Sequence, residues 1–262
     1  MNWTRVLLIF AFAMVLANFA YATGKSEPLI VGMELSYPPF EMTNEHGTPT
    51  GVSVDMAYAL GEFLGRKVII RNTSFDGLIP ALKTGKIDLV ISSMTATEER
   101  LQSIDFSEPY LKTGLCLLVR KEATGQSIAD FTGPGRVIAV KKGMTGHVYV
   151  AQHPTKAKVL VLDKESSCVL EVVQGKADAF IYDQMSTYRN WKRHQDTTRP
   201  LLNPFQEESW AIGVRKENDV LREQVNAFLK DYIVRGGFAQ LSDKYLKEPK
   251  EAFQKLGIPF LF

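Results

Sequence analysis

Two stretches of this 262-residue chain follow the same pattern, and this repetition limits the possible folds more than any other feature. Residues 81–93 read ALKTGKIDLVISS and residues 171–183 read EVVQGKADAFIYD: a helix end, Gly-Lys, one further residue, Asp and an apolar strand. When the Gly-Lys pairs are aligned, Ser93 falls opposite Asp183, each at the carboxyl end of its strand. The repetition predicts two related α/β units, although two copies of a merely stable βαβ unit would give the same pattern.

Strands and helices alternate through both halves of the chain, which is typical of parallel sheets. Strands are predicted at residues 29–35, 67–75, 87–94, 136–143, 157–163, 177–183 and 209–219. Helices are predicted at residues 51–65, 77–86, 144–153, 165–176, 184–194, 220–237 and 238–247. The last strand and the two helices after it form a tail rather than a third unit.

We expect this tail to return to the first unit. In that case the chain crosses between the units twice, near Lys112–Cys116 and Glu207–Gly213. Two neighbouring crossings form a hinge, and closure of such a hinge over a ligand is a common motion. The predicted domains are therefore residues 23–112 with 210–262 in lobe 1, and residues 113–209 in lobe 2.

The first 22 residues have the pattern of a cleaved secretory signal. A basic residue near the start precedes an apolar run from Val6 to Leu16, and Ala-Tyr-Ala ends at Ala22. An uncleaved membrane anchor is the alternative. Export would expose the chain to an oxidising compartment, where Cys116 and Cys168 could pair, although their apolar surroundings favour buried free thiols.

The overall composition restricts the partner. The chain is 45% hydrophobic and 23% charged, which predicts a folded protein. Its formal net charge is only +2, with both signs interspersed along the sequence. This charge pattern predicts no nucleic-acid footprint and favours a small molecule as the partner.

The two repeated strands are followed by polar residues that suit ligand groups of opposite charge. Arg100 stands in the first turn of a predicted helix, where a cation opposes the helix dipole. Its guanidinium and the free backbone N–H groups around Thr95 would suit a carboxylate. From the other unit, Asp183 would accept hydrogen bonds from an ammonium group, together with the main-chain carbonyl of Ser93. Both receptors together fit an α-amino acid; alternatively, Arg100 pairs with Asp105 and Asp183 caps the following helix.

Other side chains at the same edge would meet the rest of the ligand. Tyr37 and Phe75 could hold an apolar or planar group between their rings, or pack as a small core under the loops. Glu34 could receive a cationic group or remain solvated. In the loop 141–146, two glycines leave N–H groups free for a ligand oxygen, and Lys141 could pair with Asp183.

Catalytic and metal-binding patterns are absent from the sequence. The four histidines are scattered without the spacing of metal ligands, and there is no nucleophile elbow. We therefore expect no metal, no cofactor and no enzyme activity.

The sequence resembles the family 3 solute-binding proteins of polar amino-acid ABC importers, which are also related to ionotropic glutamate receptor ligand domains. The likeness is carried by VGMELSYPPFE, GVSVDMAYALGEFLG, FDGLIPALKTGKIDLVISSMTATEERLQSIDFSEPY, GKADAFIYD and GVRKEN. It implies a two-lobed α/β periplasmic-binding-protein fold of type II, with a mixed, mostly parallel sheet flanked by helices in each lobe and a two-segment hinge. It also implies a periplasmic monomer that binds a free L-amino acid, polar or basic, and delivers it to an inner-membrane permease.

The resemblance gives roles to individual residues. In this family pattern, Arg100 with Thr95 holds the ligand carboxylate, Asp183 completes the ammonium site, and a Gly/Thr loop near Gly143 to Thr145 adds N–H donors. Together with the residue-level reasoning, the predicted ligand contacts are Glu34, Tyr37, Phe75, Ser93, Met94, Thr95, Arg100, Lys141, Met144, Thr145 and Asp183.

Two departures leave the side-chain specificity open. Glu34 stands where many binders of basic amino acids carry Asp, and Met144 stands where a small polar residue is common. Cyclohexadienyl dehydratases, which act on arogenate or prephenate, resemble the same pattern and are the alternative function. Asp183 beside Arg100 favours binding over dehydration.

Overall fold

The computed structural model describes residues 27–260, so the signal predicted at residues 1–22 lies outside the described part of the chain. The strands are β1 (Leu29–Met33), β2 (Ser36–Tyr37), β3 (Glu41–Thr43), β4 (Pro49–Thr50), β5 (Val68–Asn72), β6 (Leu89–Val90), β7 (Asp105–Phe106), β8 (Leu111–Arg120), β9 (Val137–Lys141), β10 (Lys158–Leu162), β11 (Ala179–Asp183), β12 (Thr198–Trp210) and β13 (Gly213–Val214). The helices are α1 (Val52–Leu64), α2 (Phe75–Lys83), α3 (Glu98–Leu101), α4 (Thr145–Gln152), α5 (Glu165–Val173), α6 (Gln184–Arg193), α7 (Asp219–Val234), α8 (Gly237–Tyr245) and α9 (Lys247–Lys255).

The first sheet has the strand order β5-β1-β6-β13-β7. Strand β1 pairs in parallel with β5 and β6, because α1 and α2 return the chain across the sheet. Helix α1 begins after Gly51, whose φ is 124°, and a Cβ there would lie 2.3 Å from the Phe40 carbonyl oxygen. Only glycine fits this position, so Gly51 determines where α1 begins.

The second sheet has the strand order β10-β9-β11-β8-β12. Strand β9 is parallel to β10 and β11, whereas β8 is antiparallel to β11 and β12. Both large sheets are thus mixed, with a parallel part made by the repeated strand-helix units. A small sheet of β2, β3 and β4 precedes α1.

Strands β8 and β12 form the connection between the two large sheets. They run antiparallel, with Leu111 opposite Trp210 and Thr113 opposite Glu208. Trp210 also bridges to Thr95 next to the first sheet. After β12 the chain enters β13, which pairs with β6 in that first sheet. The predicted return of the tail is therefore present in the strand order, and the domain boundaries proposed above stay a prediction.

Most predicted elements are confirmed, but the short strands β2, β3, β4 and β7 were not predicted, and further differences lie at the connection. The prediction omitted strand β8 and most of β12, and β13 covers only two residues of the strand expected at 209–219. Helix α9 was also not predicted. It is anchored by Phe253, which is fully buried and packs edge-on against the ring of Tyr188 in α6.

The two cysteines are buried and free, so the alternative of a disulfide is wrong. Burial raises the pKa of the Cys168 thiol to about 12 and that of Cys116 still further above its usual value. Among the helices of residues 27–260, none is both long and apolar enough to span a bilayer.

Candidate functional site

A narrow cavity of about 40 Å³ lies where the carboxyl ends of β1, β6 and β11 meet, at the edges of both large sheets. This is the edge at which α/β sheets place their ligands. The cavity is lined by Glu34, Tyr37, Glu41, Phe75, Ser92, Ser93, Thr95, Arg100, Leu115, Met144, Thr145, Tyr182, Asp183, Glu208 and Trp210.

Arg100 connects the two lobes at one end of this cavity. Its Nη1 donates to the Thr95 carbonyl at 2.9 Å, and its Nη2 donates to the Gly143 carbonyl at 3.1 Å. The guanidinium carbon lies 5.1 Å from the centre of the Phe75 ring. Thr97 caps α3 by accepting from the Arg100 backbone N–H. Two of five N–H donors are engaged by these carbonyls, so the guanidinium keeps donors for an anion.

The alternative pairing of Arg100 is wrong. Asp105 instead forms an ion pair with Lys216 at 2.7 Å and lies 4.0 Å from Arg222. Arg100 is thus left facing the cavity.

Asp183 is the acid that the second lobe contributes. Its Oδ1 accepts from the Tyr37 hydroxyl at 2.6 Å and from the Ser186 backbone N–H at 3.0 Å. The predicted capping of α6 is confirmed by the second of these bonds, and the side chain lines the cavity as well. Burial raises the pKa of Asp183 to about 6, although both hydrogen bonds oppose this shift. Above that pH, Asp183 is a buried negative charge that a cation would stabilise.

Glu41 is a second buried acid in the cavity, and the sequence analysis missed it. It is 1% exposed and accepts hydrogen bonds from the hydroxyls of Ser53 at 2.6 Å, Ser93 at 3.0 Å and Ser92 at 3.4 Å. Burial raises its pKa to about 8 despite these three donors. At neutral pH Glu41 is therefore largely protonated and can donate a hydrogen bond. Ser93 holds a φ of 48°, which is uncommon for a residue other than glycine.

Glu208 is a third buried acid, located on β12. Its Oε2 accepts from the hydroxyls of Thr95 and Thr145, each at 3.1 Å. Its Oε1 accepts from the Gln206 side-chain amide at 3.3 Å. Burial raises its pKa, and the nearby Arg100 charge lowers it. Glu208 thus links donors from both lobes.

Aromatic rings form one wall of the cavity. Tyr37 stacks on Phe40 with ring centres 5.4 Å apart, and both rings meet Trp210 edge-on. Tyr182 contacts Tyr37 at 6.2 Å, and Phe75 lines the cavity beneath Arg100. The structure therefore places both predicted aromatic residues at the cavity, each with further packing partners.

Glu34 and Lys141 form an ion pair across the lobes, with Nζ and Oε2 2.5 Å apart. Lys141 is nearly buried, and it faces an adjoining groove rather than the cavity wall. The suggested pairing of Lys141 with Asp183 is wrong, because the side chain reaches Glu34, directly after β1, instead. The ion pair with Glu34 neutralises the charge of Lys141, so this charge is not available to a ligand.

The two methionines of the prediction have different positions. Met144 lines the cavity, next to Thr145. Met94 is fully buried in the hydrophobic cluster with Leu78 and Ile104, and it is absent from the cavity wall. A side chain inside this cluster does not reach a ligand, so the predicted ligand contact of Met94 is wrong.

Six cavity residues were missed by the sequence analysis: Glu41, Ser92, Leu115, Tyr182, Glu208 and Trp210. Weak signals existed for three of them, because Glu41 ends the PPFE segment, Ser92 adjoins Ser93 and Tyr182 adjoins Asp183. Leu115, Glu208 and Trp210 lie on the connecting strands, where the sequence carries no periodic pattern that marks a site. In the part of the chain that the structure describes, no group of three or more His, Cys, Asp or Glu side chains could hold a metal ion.

Comparison with known proteins gives a consistent result. The model of the bacterial extracellular solute-binding proteins, family 3, matches residues 29–248. The L-arginine-binding protein of Pseudomonas aeruginosa is 31% identical over 251 residues, which is 92% of this chain and 96% of the relative. Among solved structures, an ancestral arginine-binding protein bound to arginine has a TM-score of 0.79 and 32% identity, covering 85% of this chain and all of its own.

A second solved structure bears on the enzyme alternative. It is an ancestral amino acid-binding protein described as a precursor of cyclohexadienyl dehydratase. Its TM-score is 0.76 at 33% identity, covering 83% of this chain and 94% of its own.

Proposed function

Because this chain belongs to the bacterial extracellular solute-binding proteins of family 3, we propose that it captures one free L-amino acid between its lobes and delivers it to an ABC importer. One observation carries the proposal: a single buried cavity contains the Arg100 guanidinium from one lobe and the Asp183 carboxylate from the other. An amino acid presents a carboxylate and an ammonium group on one carbon, which complement these charges. Closure of the lobes would complete both contacts at once.

The ligand's side chain is polar or basic. The cavity wall carries the carboxylates of Glu34, Asp183 and Glu208 against one guanidinium, whereas Glu41 is largely protonated at neutral pH. Lys141 offsets only the charge of Glu34, which lies at the rim. A cationic side chain is favoured by such a wall.

The setting follows from this role. The protein acts in the periplasm as a monomer, after removal of residues 1–22, and meets the inner-membrane permease of its importer. It binds its ligand without chemical change, so it uses no cofactor or metal and is not an enzyme.

A thermal-shift panel with the twenty L-amino acids tests the proposal. A ligand that binds only the folded protein adds RT ln(1 + [L]/Kd) to stability, which is about 2.7 kcal/mol at a hundred times Kd. We expect one or a few L-amino acids to raise the melting temperature, and their D-enantiomers to have no effect. Absence of any shift across the panel, in protein with a cooperative melt, would refute the proposal.

The second candidate is a dehydratase acting on prephenate or arogenate, and it is favoured only by the similarity to the dehydratase precursor. The same preparation distinguishes it. If either compound is turned over and no amino acid raises the melting temperature, the protein is a dehydratase and not an amino-acid-binding protein. We expect no turnover and a positive panel.

A further inference from the structure

Glu208 occupies an unusual place for an acid, at the joint between the two lobes. It lies on β12, opposite Thr113 of β8, and only 8% of its surface is exposed. A carboxylate taken this far out of water requires donors that compensate for its lost hydration. The donors that Glu208 uses indicate its role.

Two of these donors come from opposite lobes and meet on one oxygen. Thr95 follows β6 of the first sheet, and Thr145 begins α4 beside the second sheet; both hydroxyls donate to Oε2 at 3.1 Å. The positive charge of Arg100 is close enough to stabilise the ionised carboxylate. The proposed function gives Arg100 to the ligand's carboxylate, and the family pattern described above adds Thr95 and the loop from Gly143 to Thr145.

We infer that the Glu208 carboxylate occupies the anion position of the cavity and competes there with the carboxylate of the ligand. The inference rests on the proposed function, since it concerns the same cavity. Both groups are planar carboxylates that need the same hydroxyl donors, and two such charges on one set of donors repel each other. Binding of an amino acid therefore requires Glu208 to leave.

The structure provides a place for the displaced side chain. Glu208 also lines a second cavity behind the connecting strands, together with Thr113 and Gln206. The Thr113 hydroxyl is buried there and has no hydrogen-bond partner among the described residues. Because Thr113 faces Glu208 in the β8–β12 ladder, its hydroxyl is a ready donor for the displaced carboxylate.

This arrangement makes Glu208 a determinant of specificity and of closure. In the absence of ligand it joins Thr95 to Thr145 and so holds the lobes together. A ligand with a carboxylate must overcome this contact, whereas an amine that lacks the carboxylate leaves Glu208 in place. Removal of the Glu208 charge should therefore strengthen binding of amino acids and not of the corresponding amines.

The test compares Glu208→Gln with wild type, and Glu207→Gln serves as the matched control. Glu207 precedes Glu208 on the same strand. Its exposed side chain does not line the ligand cavity and borders only the second cavity, so the control removes the same charge away from Thr95 and Thr145. Isothermal titration calorimetry is performed with the twenty L-amino acids and with agmatine, cadaverine and histamine, which lack the carboxylate of arginine, lysine and histidine. We expect at least about tenfold tighter binding of the recognised amino acid to Glu208→Gln, wild-type affinity in Glu207→Gln, and no such gain for the amines.

The outcomes separate this inference from the proposed function. If wild type binds an amino acid and Glu208→Gln binds it equally or more weakly, the competition is refuted while the binding role stands. If none of the three proteins binds any amino acid, both are refuted. A crystal structure of the wild-type complex gives a readout independent of the variant. We expect the Glu208 carboxylate beside Thr113, and persistence of both 3.1 Å bonds would overturn the inference.

Discussion

Replacement of Asp183 by Asn should stabilise the ligand-free protein while it weakens ligand binding. Asp183 is buried, and burial raises its pKa from 3.8 to about 6 even though Tyr37 and Ser186 donate to it. An acid whose pKa is higher in the folded state than in the unfolded state destabilises the fold when it is ionised. Asn keeps an acceptor oxygen for both donors and has no charge to bury.

The magnitude follows from the two pKa values. The difference between 3.8 and about 6 corresponds to roughly 3 kcal/mol, at 1.36 kcal/mol per pH unit. This penalty is fully present above about pH 6, declines as the pH falls, and is absent below 3.8. At pH 7.5 we therefore expect the variant to melt roughly 6–12 °C above wild type. At pH 4.5 the gain should shrink to about 1 kcal/mol.

Differential scanning calorimetry at both pH values measures this effect, and addition of the recognised amino acid measures the loss of binding. Asp178→Asn is the matched control, because Asp178 is paired with Arg120 and Arg136 and accepts from the Val137 N–H. Loss of these ion pairs should lower the melting temperature. If Asp183→Asn melts at or below wild type at pH 7.5, or if its gain is equal at both pH values, the reasoning is wrong.

Three further predictions concern single side chains. Arg100→Ala should weaken amino-acid binding by roughly 2–5 kcal/mol in calorimetric titration, because the ligand's carboxylate loses its cation in a closed cavity; unchanged affinity would remove Arg100 from the site. Tyr37→Phe should lower the free energy of unfolding by roughly 1–3 kcal/mol at pH 7.5 in urea titrations, since Asp183 loses its 2.6 Å donor, and an unaltered midpoint would contradict this. Cys116 and Cys168 should resist iodoacetamide in the native protein and react after unfolding, as counted by mass spectrometry; rapid native labelling would show that these thiols are not buried.

The local elements could be predicted because their signals are local. The Gly-Lys repeats mark helix ends that lead into buried strands, and the alternation of elements predicts the parallel parts of both sheets. The capping roles of Thr97 and Asp183 were also predictable, because capping depends on a side chain and the backbone three residues later.

Long-range partners could not be predicted in the same way. Lys141 pairs with Glu34, which is 107 residues away, whereas the sequence analysis offered only Asp183 as its partner. Glu208 lies beyond a register shift in β12, so no alternating pattern pointed to its burial. Met94 sits between cavity residues in sequence, but its side chain packs into the core beside Leu78 and Ile104, and the positive φ of Ser93 breaks any strand alternation here.

Native mass spectrometry of the purified protein tests the central claim most directly. The account predicts one non-covalent adduct per chain whose mass matches a single L-amino acid, which is lost on denaturation and in Arg100→Ala. If the protein remains free of adducts after incubation with each of the twenty L-amino acids, the claim that its cavity binds an α-amino acid is contradicted.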